Sequence, residues 1–223
     1  MANFTVVDLA SWPRREHYEY YTQRLPVGYS MTARLDVTRF RAECRARGLR
    51  FYAAFIACVS HVVTRCEWLR MFRDSQGRLC LWDEVCPNYT VFHEDDHTFS
   101  DLWSRYTPDL LALYHTICDD MARYGHEKGI KARPDQPGNF FCVSCVPWVD
   151  FQSFNTYTAG GQPTFFPIIT IGRISEAQEK QEISCAFTIA HAVCDGWHTA
   201  RFFRLLQDTL DTFPLLDETK ASP

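Results

Sequence analysis

Residues 181–198 read Gln181-Glu-Ile-Ser-Cys-Ala-Phe-Thr-Ile-Ala-His191-Ala-Val-Cys-Asp195-Gly196-Trp197-His198. Ile183, Cys185, Phe187 and Ile189 alternate with Ser184, Ala186, Thr188 and Ala190. A period of two with one bulky and one small-polar face predicts a strand. The strand ends at a histidine, the chain turns through Asp195-Gly196, and a helix is expected from about Gly196 to Thr209. An imidazole at such a junction is held by the strand yet faces outward, as a general base must. Asp195 can fix the turn by accepting hydrogen bonds or pairing with a cation, and Gly196 lets the backbone bend tightly. On position alone, a lone histidine at a strand end is more often structural.

Elsewhere the periodicity switches between 3.6 and 2. Pro13 at a first helical position predicts a helix to about Gln23, followed by a strand over 29–37. Thr38 can cap a helix ending near Gly48, and a nearly all-apolar helix over 51–66 should be buried. Leu69–Phe72 and Leu79–Trp82 flank Asp74-Ser-Gln-Gly77 as a hairpin, and Tyr89–Phe92 reads as a strand. Thr107-Pro108-Asp109 opens a helix closed by Gly125, and the polar, proline-containing stretch 127–138 reads as a loop. Strands are expected over 140–146, 166–174 and 181–190. Helices interspersed with strands, some in hairpin order, predict an α/β (α+β) two-layer sandwich with a mixed sheet.

The chain has 223 residues, suited to one domain over 1–223 with a single core. Aromatic residues reach 15% (17 Phe, 10 Tyr, 6 Trp), compatible with a Phe-rich core or with an aromatic-lined pocket. The formal net charge of -4 and the lack of a dense basic run argue against nucleic-acid binding. No run of 18 apolar residues exists, and Met-Ala-Asn-Phe-Thr-Val-Val-Asp has no signal-peptide character, so neither membrane nor export is expected and a cytoplasmic location is. Ten cysteines sit mostly in apolar runs, where thiols act as small hydrophobes. Cys142-Val-Ser-Cys145 is formally a CxxC, but no second pair has zinc spacing and it lies in an extended segment without a helix N-terminus. No metal or redox role is expected. His93-Glu-Asp-Asp-His97 reads as a solvated turn rather than a metal site, and no dinucleotide fingerprint or P-loop is present.

The HxxxDG string resembles the motif shared by chloramphenicol acetyltransferases, dihydrolipoyl acyltransferase cores, peptide-synthetase condensation domains and plant acyltransferases. Trp12-Pro-Arg-Arg-Glu-His-Tyr-Glu-Tyr-Tyr21, Arg24-Leu-Pro26, Phe92-His93, Pro147-Trp-Val-Asp-Phe151, Ser153-Phe-Asn155 and Pro167-Ile-Ile-Thr170 are similar to the chloramphenicol acetyltransferase family in order and spacing, nearly end to end. The resemblance implies a homotrimer with sites between subunits and direct acetyl transfer from acetyl-CoA to a hydroxyl of chloramphenicol, without an acyl-enzyme.

By the same resemblance His191 is the base, Ser144 donates to the oxyanion, and Arg14 pairs with Asp195. Thr170 holds a water near the reacting centre. Tyr21, Leu25, Val27, Tyr29, Phe99, Phe154, Thr156 and Ile168 surround the acceptor. Trp148 and Tyr52 offer flat surfaces to CoA, with Arg50 and Arg173 meeting its phosphates. Ser144 lacks the elbow of a serine nucleophile, and the family gives His198 no catalytic role. The chain departs from the pattern at Ala190, where many members carry a second histidine, and at Tyr29 and Thr156, which are more polar than expected. A different small alcohol as acceptor, or a non-catalytic acceptor-binding relative, are the alternatives. A multienzyme core is disfavoured by the absence of a lipoyl domain or Ala/Pro-rich linker.

Overall fold

The computed structural model describes residues 2–157, 160–177 and 179–214. Its elements run β1 (Phe4–Val6), α1 (Arg15–Glu19), β2 (Gly28–Asp36), α2 (Thr38–Ala46), α3 (Phe51–Arg65), β3 (Met71–Arg73), β4 (Leu79–Trp82), β5 (Cys86–His93), β6 (Thr98–Trp103), α4 (Leu110–Tyr124), β7 (Phe140–Cys145), β8 (Ile168–Ala177), β9 (Lys180–Ala190) and α5 (Gly196–Thr212). Six strands form one mixed sheet in the order β2-β9-β8-β7-β5-β6, parallel only at β5–β7 and β7–β8. A small second sheet, β1-β4-β3, is wholly antiparallel. The expected two-layer architecture with a mixed sheet is therefore present.

The alternation in β9 does what its sequence requires. Ile183, Cys185, Phe187 and Ile189 join Val143, Ile169 and Ile171 in the buried core beneath α3 and α5. Along the helix-free face the register aligns Thr90, Ser144, Thr170, Ala186 and Thr32 in one small-polar row across five strands. Helix α3 crosses the core centre and has ten buried residues, as its continuous apolar run dictates.

Several boundaries differ from expectation for local reasons. The helix expected from Pro13 to Gln23 begins at Arg15 and passes into a π-turn over Tyr20–Arg24, where the Thr22 hydroxyl bonds back to the Tyr18 carbonyl at 2.6 Å. Thr38 is the first residue of α2 rather than its cap. Its N–H and hydroxyl both donate to Asp36 Oδ1, at 3.0 and 2.6 Å. Asp109 is the N-cap of α4, accepting from Ala112 N–H at 2.8 Å, so Thr107 and Pro108 precede the helix. Strands β1 and β6 were not expected.

The segment after β7 crosses over β8. There Gly172 makes the close approach possible: a Cβ would stand 2.8 Å from the Val149 carbonyl oxygen and 3.1 Å from the Phe151 ring. Arg173 N–H donates to that same carbonyl at 2.8 Å. A bulge between Ile171 and Ile174 accompanies the crossing. This is how Trp148 is brought alongside the end of β7.

Candidate active site

His191 follows the last residue of β9. Its backbone N–H donates to the Val27 carbonyl at 2.9 Å, tying the motif to the segment before β2. Its side chain is fixed from three directions. Nδ1 lies 3.0 Å from the Cys194 carbonyl oxygen. Because that partner can only accept, Nδ1 carries the proton, and in the neutral ring Nε2 keeps its lone pair. The Tyr21 ring stacks on the imidazole at 4.0 Å and 14°, and the Tyr29 ring meets it edge-on at 5.2 Å. The ring is half-buried, clamped, and has an acceptor nitrogen to spare.

Asp195 holds the turn. It is the N-cap of α5, with Oδ1 accepting from Trp197 N–H at 3.0 Å and from His198 N–H at 3.4 Å. His198 Nδ1 lies 2.7 Å from the same oxygen, and Arg14 Nη1 meets Oδ2 at 2.5 Å. Burial opposes ionisation of this carboxyl, but the hydrogen bonds from His198 and Arg14 outweigh it and hold Asp195 well below the usual carboxylate range. Sequence reasoning paired Arg14 with Asp195 through the resemblance but gave His198 no part. Its signal was available: an acceptor at the N-cap with a donor three positions on, a variation on the capping box.

Beside this cluster lies a cavity of about 280 Å³ lined by Val27, Thr156, Ile168, Thr188 and Ile189. Tyr29 does not line it. Its hydroxyl ends 2.5 Å from Thr199 Oγ1 in the first turn of α5. The polar group that made Tyr29 an unusual pocket residue is therefore satisfied inside the protein. Leu25 is exposed just ahead of Pro26, and Phe154 packs on Phe151 with its N–H directed at the Thr32 hydroxyl.

Most of the remaining predicted residues form a second cluster. Ser144 is half-buried near the end of β7, 3.3 Å from the Thr90 hydroxyl and in register with the buried Thr170. Tyr52, Phe99, Ser144 and Trp148 line one largely apolar cleft of about 640 Å³, with Trp148 edge-on to Phe92 at 4.6 Å. The Tyr52 hydroxyl donates to the Val143 carbonyl at 3.3 Å, and burial raises its pKa. Arg50 and Arg173 are exposed and line neither cavity.

The two clusters do not meet within one chain. Ser144 registers with Thr170, and Thr170 with Ala186, five residues short of His191. Two strand spacings and five strand residues separate the serine from the imidazole by about 20 Å. No single reacting carbon touches both.

All ten cysteines are free, and burial pushes the Cys142 and Cys145 thiols up to about 11. No group of three or more metal-ligating side chains occurs among the described residues. Nor does any described helix have the length and apolarity to cross a membrane. His93 is buried against Ser100, and 94–97 form the turn into β6.

A family model described as chloramphenicol acetyltransferase matches residues 2–207. The chain belongs to the chloramphenicol acetyltransferase family. It is 38% identical over 209 residues to a chloramphenicol acetyltransferase of Vibrio anguillarum, covering 94% of this chain and 95% of that one. It is 36% identical over 212 residues to chloramphenicol acetyltransferase 2 of Haemophilus influenzae, covering 94% and 98%. Family membership makes the protein an acyltransferase. Its fold also matches a solved chloramphenicol acetyltransferase (TM-score 0.81, 18% identity, 93% of this chain and 100% of that one). A dihydrolipoamide acetyltransferase from Azotobacter vinelandii shares the fold at TM-score 0.67 and 16% identity, with 88% and 86% covered.

Proposed function

We propose that the protein acetylates a hydroxyl of chloramphenicol by direct transfer from acetyl-CoA, with His191 as general base. The observation that carries this reading is the commitment of His191 Nδ1 to the Cys194 carbonyl, which leaves Nε2 as a proton acceptor at a clamped position. An alcohol must lose its proton as it attacks a thioester, and a positioned imidazole contributes about 10²–10⁴ in rate. Nε2 takes that proton while the acceptor oxygen bonds to the thioester carbon. The carbon–sulfur bond then breaks, and the imidazolium returns the proton to the departing thiolate. The Ser144 hydroxyl donates to the oxyanion formed in between, a contribution of about 10²–10³.

Ser144 and His191 are too far apart to serve one centre in a single copy. Their separation supports a trimer in which the imidazole of one subunit faces the Ser144 cleft of its neighbour. The aromatic and apolar walls given by Tyr52 and Trp148 suit the slender arm of CoA. Chloramphenicol as acceptor rests on the relatives named for it. With the Tyr29 hydroxyl already satisfied, Thr156 is the one unusual polar side chain left to the acceptor cavity.

The test is release of free CoA thiol from acetyl-CoA, with and without chloramphenicol, for wild type and His191→Ala. Drug-dependent release that drops about 10²–10⁴-fold in the variant is expected. Folded protein that binds acetyl-CoA yet leaves chloramphenicol unacetylated would remove the drug as substrate. Acetyl-labelled protein appearing before acceptor is added would contradict direct transfer.

A further inference from the structure

The Tyr29 hydroxyl belongs to a small network under the motif turn. The Thr199 hydroxyl lies 3.1 Å from the Asp195 carbonyl, to which it can donate. It meets the Tyr29 hydroxyl at 2.5 Å, where either oxygen can be the donor. The Cys194 thiol fills the remaining space, with Sγ 3.7 Å from the Tyr29 oxygen and 3.6 Å from the Thr199 oxygen. Burial raises the pKa of both the Tyr29 phenol and the Cys194 thiol, so each stays neutral around pH 7.

The chain leading into β2 and its first residues therefore grip the motif at both ends. Val27 takes the backbone N–H of His191 where the turn begins, and Tyr29 reaches the first turn of α5 where it finishes. Between these two points runs the turn whose Cys194 carbonyl holds the His191 proton. The Tyr29 ring, on its way to Thr199, also lies edge-on against the imidazole. A backbone carbonyl in a turn is placed only as well as the turn's ends are.

We propose that Tyr29 is a positioning residue: its hydroxyl latches β2 to Thr199 and so fixes the Cys194 carbonyl that holds the His191 ring in its Nδ1-protonated form. It acts through Thr199 and the turn rather than by binding acceptor. The proposal rests on His191 as base for its kinetic consequence, though not for its structural one.

Tyr29→Phe keeps the ring against His191 and removes only the latch. Thr199→Val removes the other half, and Thr199→Ser preserves it. In Tyr29→Phe and Thr199→Val, kcat should fall about tenfold with KM for acceptor and acetyl-CoA little changed, since misplacement of a catalytic group acts on turnover. The double variant should be no worse than either single one, and Thr199→Ser should retain wild-type turnover. Nitrogen-15 resonances of the neutral His191 ring, assigned by their loss in His191→Gln, give a readout that needs no activity. Wild type should show Nδ1 protonated, and the two latch-breaking variants a mixture of tautomers. A wild-type protein that keeps this tautomer difference but acetylates nothing would leave the latch standing and overturn the proposed function instead. An unchanged ring signal in folded Tyr29→Phe overturns the latch. So does a raised acceptor KM at unchanged kcat, or strict additivity in the double variant.

Discussion

Arg14 and Asp195, 181 positions apart, meet through a single guanidinium nitrogen, while Nε and Nη2 of the same arginine are buried without a hydrogen-bond partner among the described residues. An arginine so placed serves the carboxylate more than it serves itself. The side chains are 17% and 30% exposed, so the pair sits between the buried and the surface regimes. Arg14→Ala leaves Asp195 without its cation, and the expected loss is about 2–3 kcal/mol, below the roughly 3–5 kcal/mol for breaking a fully buried pair because both side chains keep some contact with solvent. Denaturant unfolding at neutral pH measures it.

Asp195 has two separable duties, ion pairing and capping α5. Asparagine caps as well as aspartate but carries no charge. Asp195→Asn should therefore unfold at a higher denaturant concentration than Asp195→Ala, by about 1 kcal/mol of stability. Equal midpoints would mean that the cap contributes nothing.

The same carboxyl gives stability a dependence on pH. It titrates lower in the folded chain than in the unfolded one, despite its burial, because His198 and Arg14 bond to the ionised form. The contribution is complete above the unfolded value near 4 and is withdrawn as pH falls below it. Wild type should thus lose more stability than Asp195→Asn between about pH 4 and pH 2. Parallel acid titrations would show this carboxyl to be irrelevant.

The distance between Ser144 and His191 makes a prediction about mixtures. His191→Ala and Ser144→Ala, each nearly inactive alone, should recover activity when co-expressed or refolded together. A hybrid assembly places an intact imidazole from one variant opposite an intact hydroxyl from the other. Mixtures no more active than their components would place both residues in the same copy's site.

Cys142 and Cys145 should be poor nucleophiles although they spell CxxC. With pKa values pushed up to about 11 by burial, they hold little thiolate at pH 8. Alkylation by iodoacetamide at that pH should run at least about a hundredfold slower in the native protein than in urea-unfolded chain, followed by mass spectrometry of the tryptic peptides.

What was legible in the sequence was whatever depends on periodicity. The alternation in β9 and the continuous apolar run of α3 are written in consecutive side chains, and both elements appear within a residue or two of expectation. Phe4–Val6 is only three residues and exposed, too short for a period to emerge. Thr98–Trp103 alternates weakly because polar Ser100 is on its buried face while aromatic Phe99 and Trp103 point outward. At the site, motif spacing singled out His191 and Asp195, and the family resemblance added Arg14. The Cys194 carbonyl, the Val27 carbonyl and the Thr199 hydroxyl were invisible because they act through the geometry of a turn. Nor does a linear order of residues reveal that Ser144 lies two strands away from the end of β9.

The group that orients the His191 proton is a peptide oxygen, and a peptide oxygen has no codon. A residue that keeps the turn and fits the buried space filled by the Cys194 thiol would supply it at position 194, so selection acts there on size and not on that contact. The chemistry of the ring is thereby insulated from the chemical identity of its nearest neighbour's side chain. Its genetic vulnerability is displaced to side chains that never touch Nδ1: an aspartate, an arginine brought from the other end of the chain, and a tyrosine on the adjoining strand.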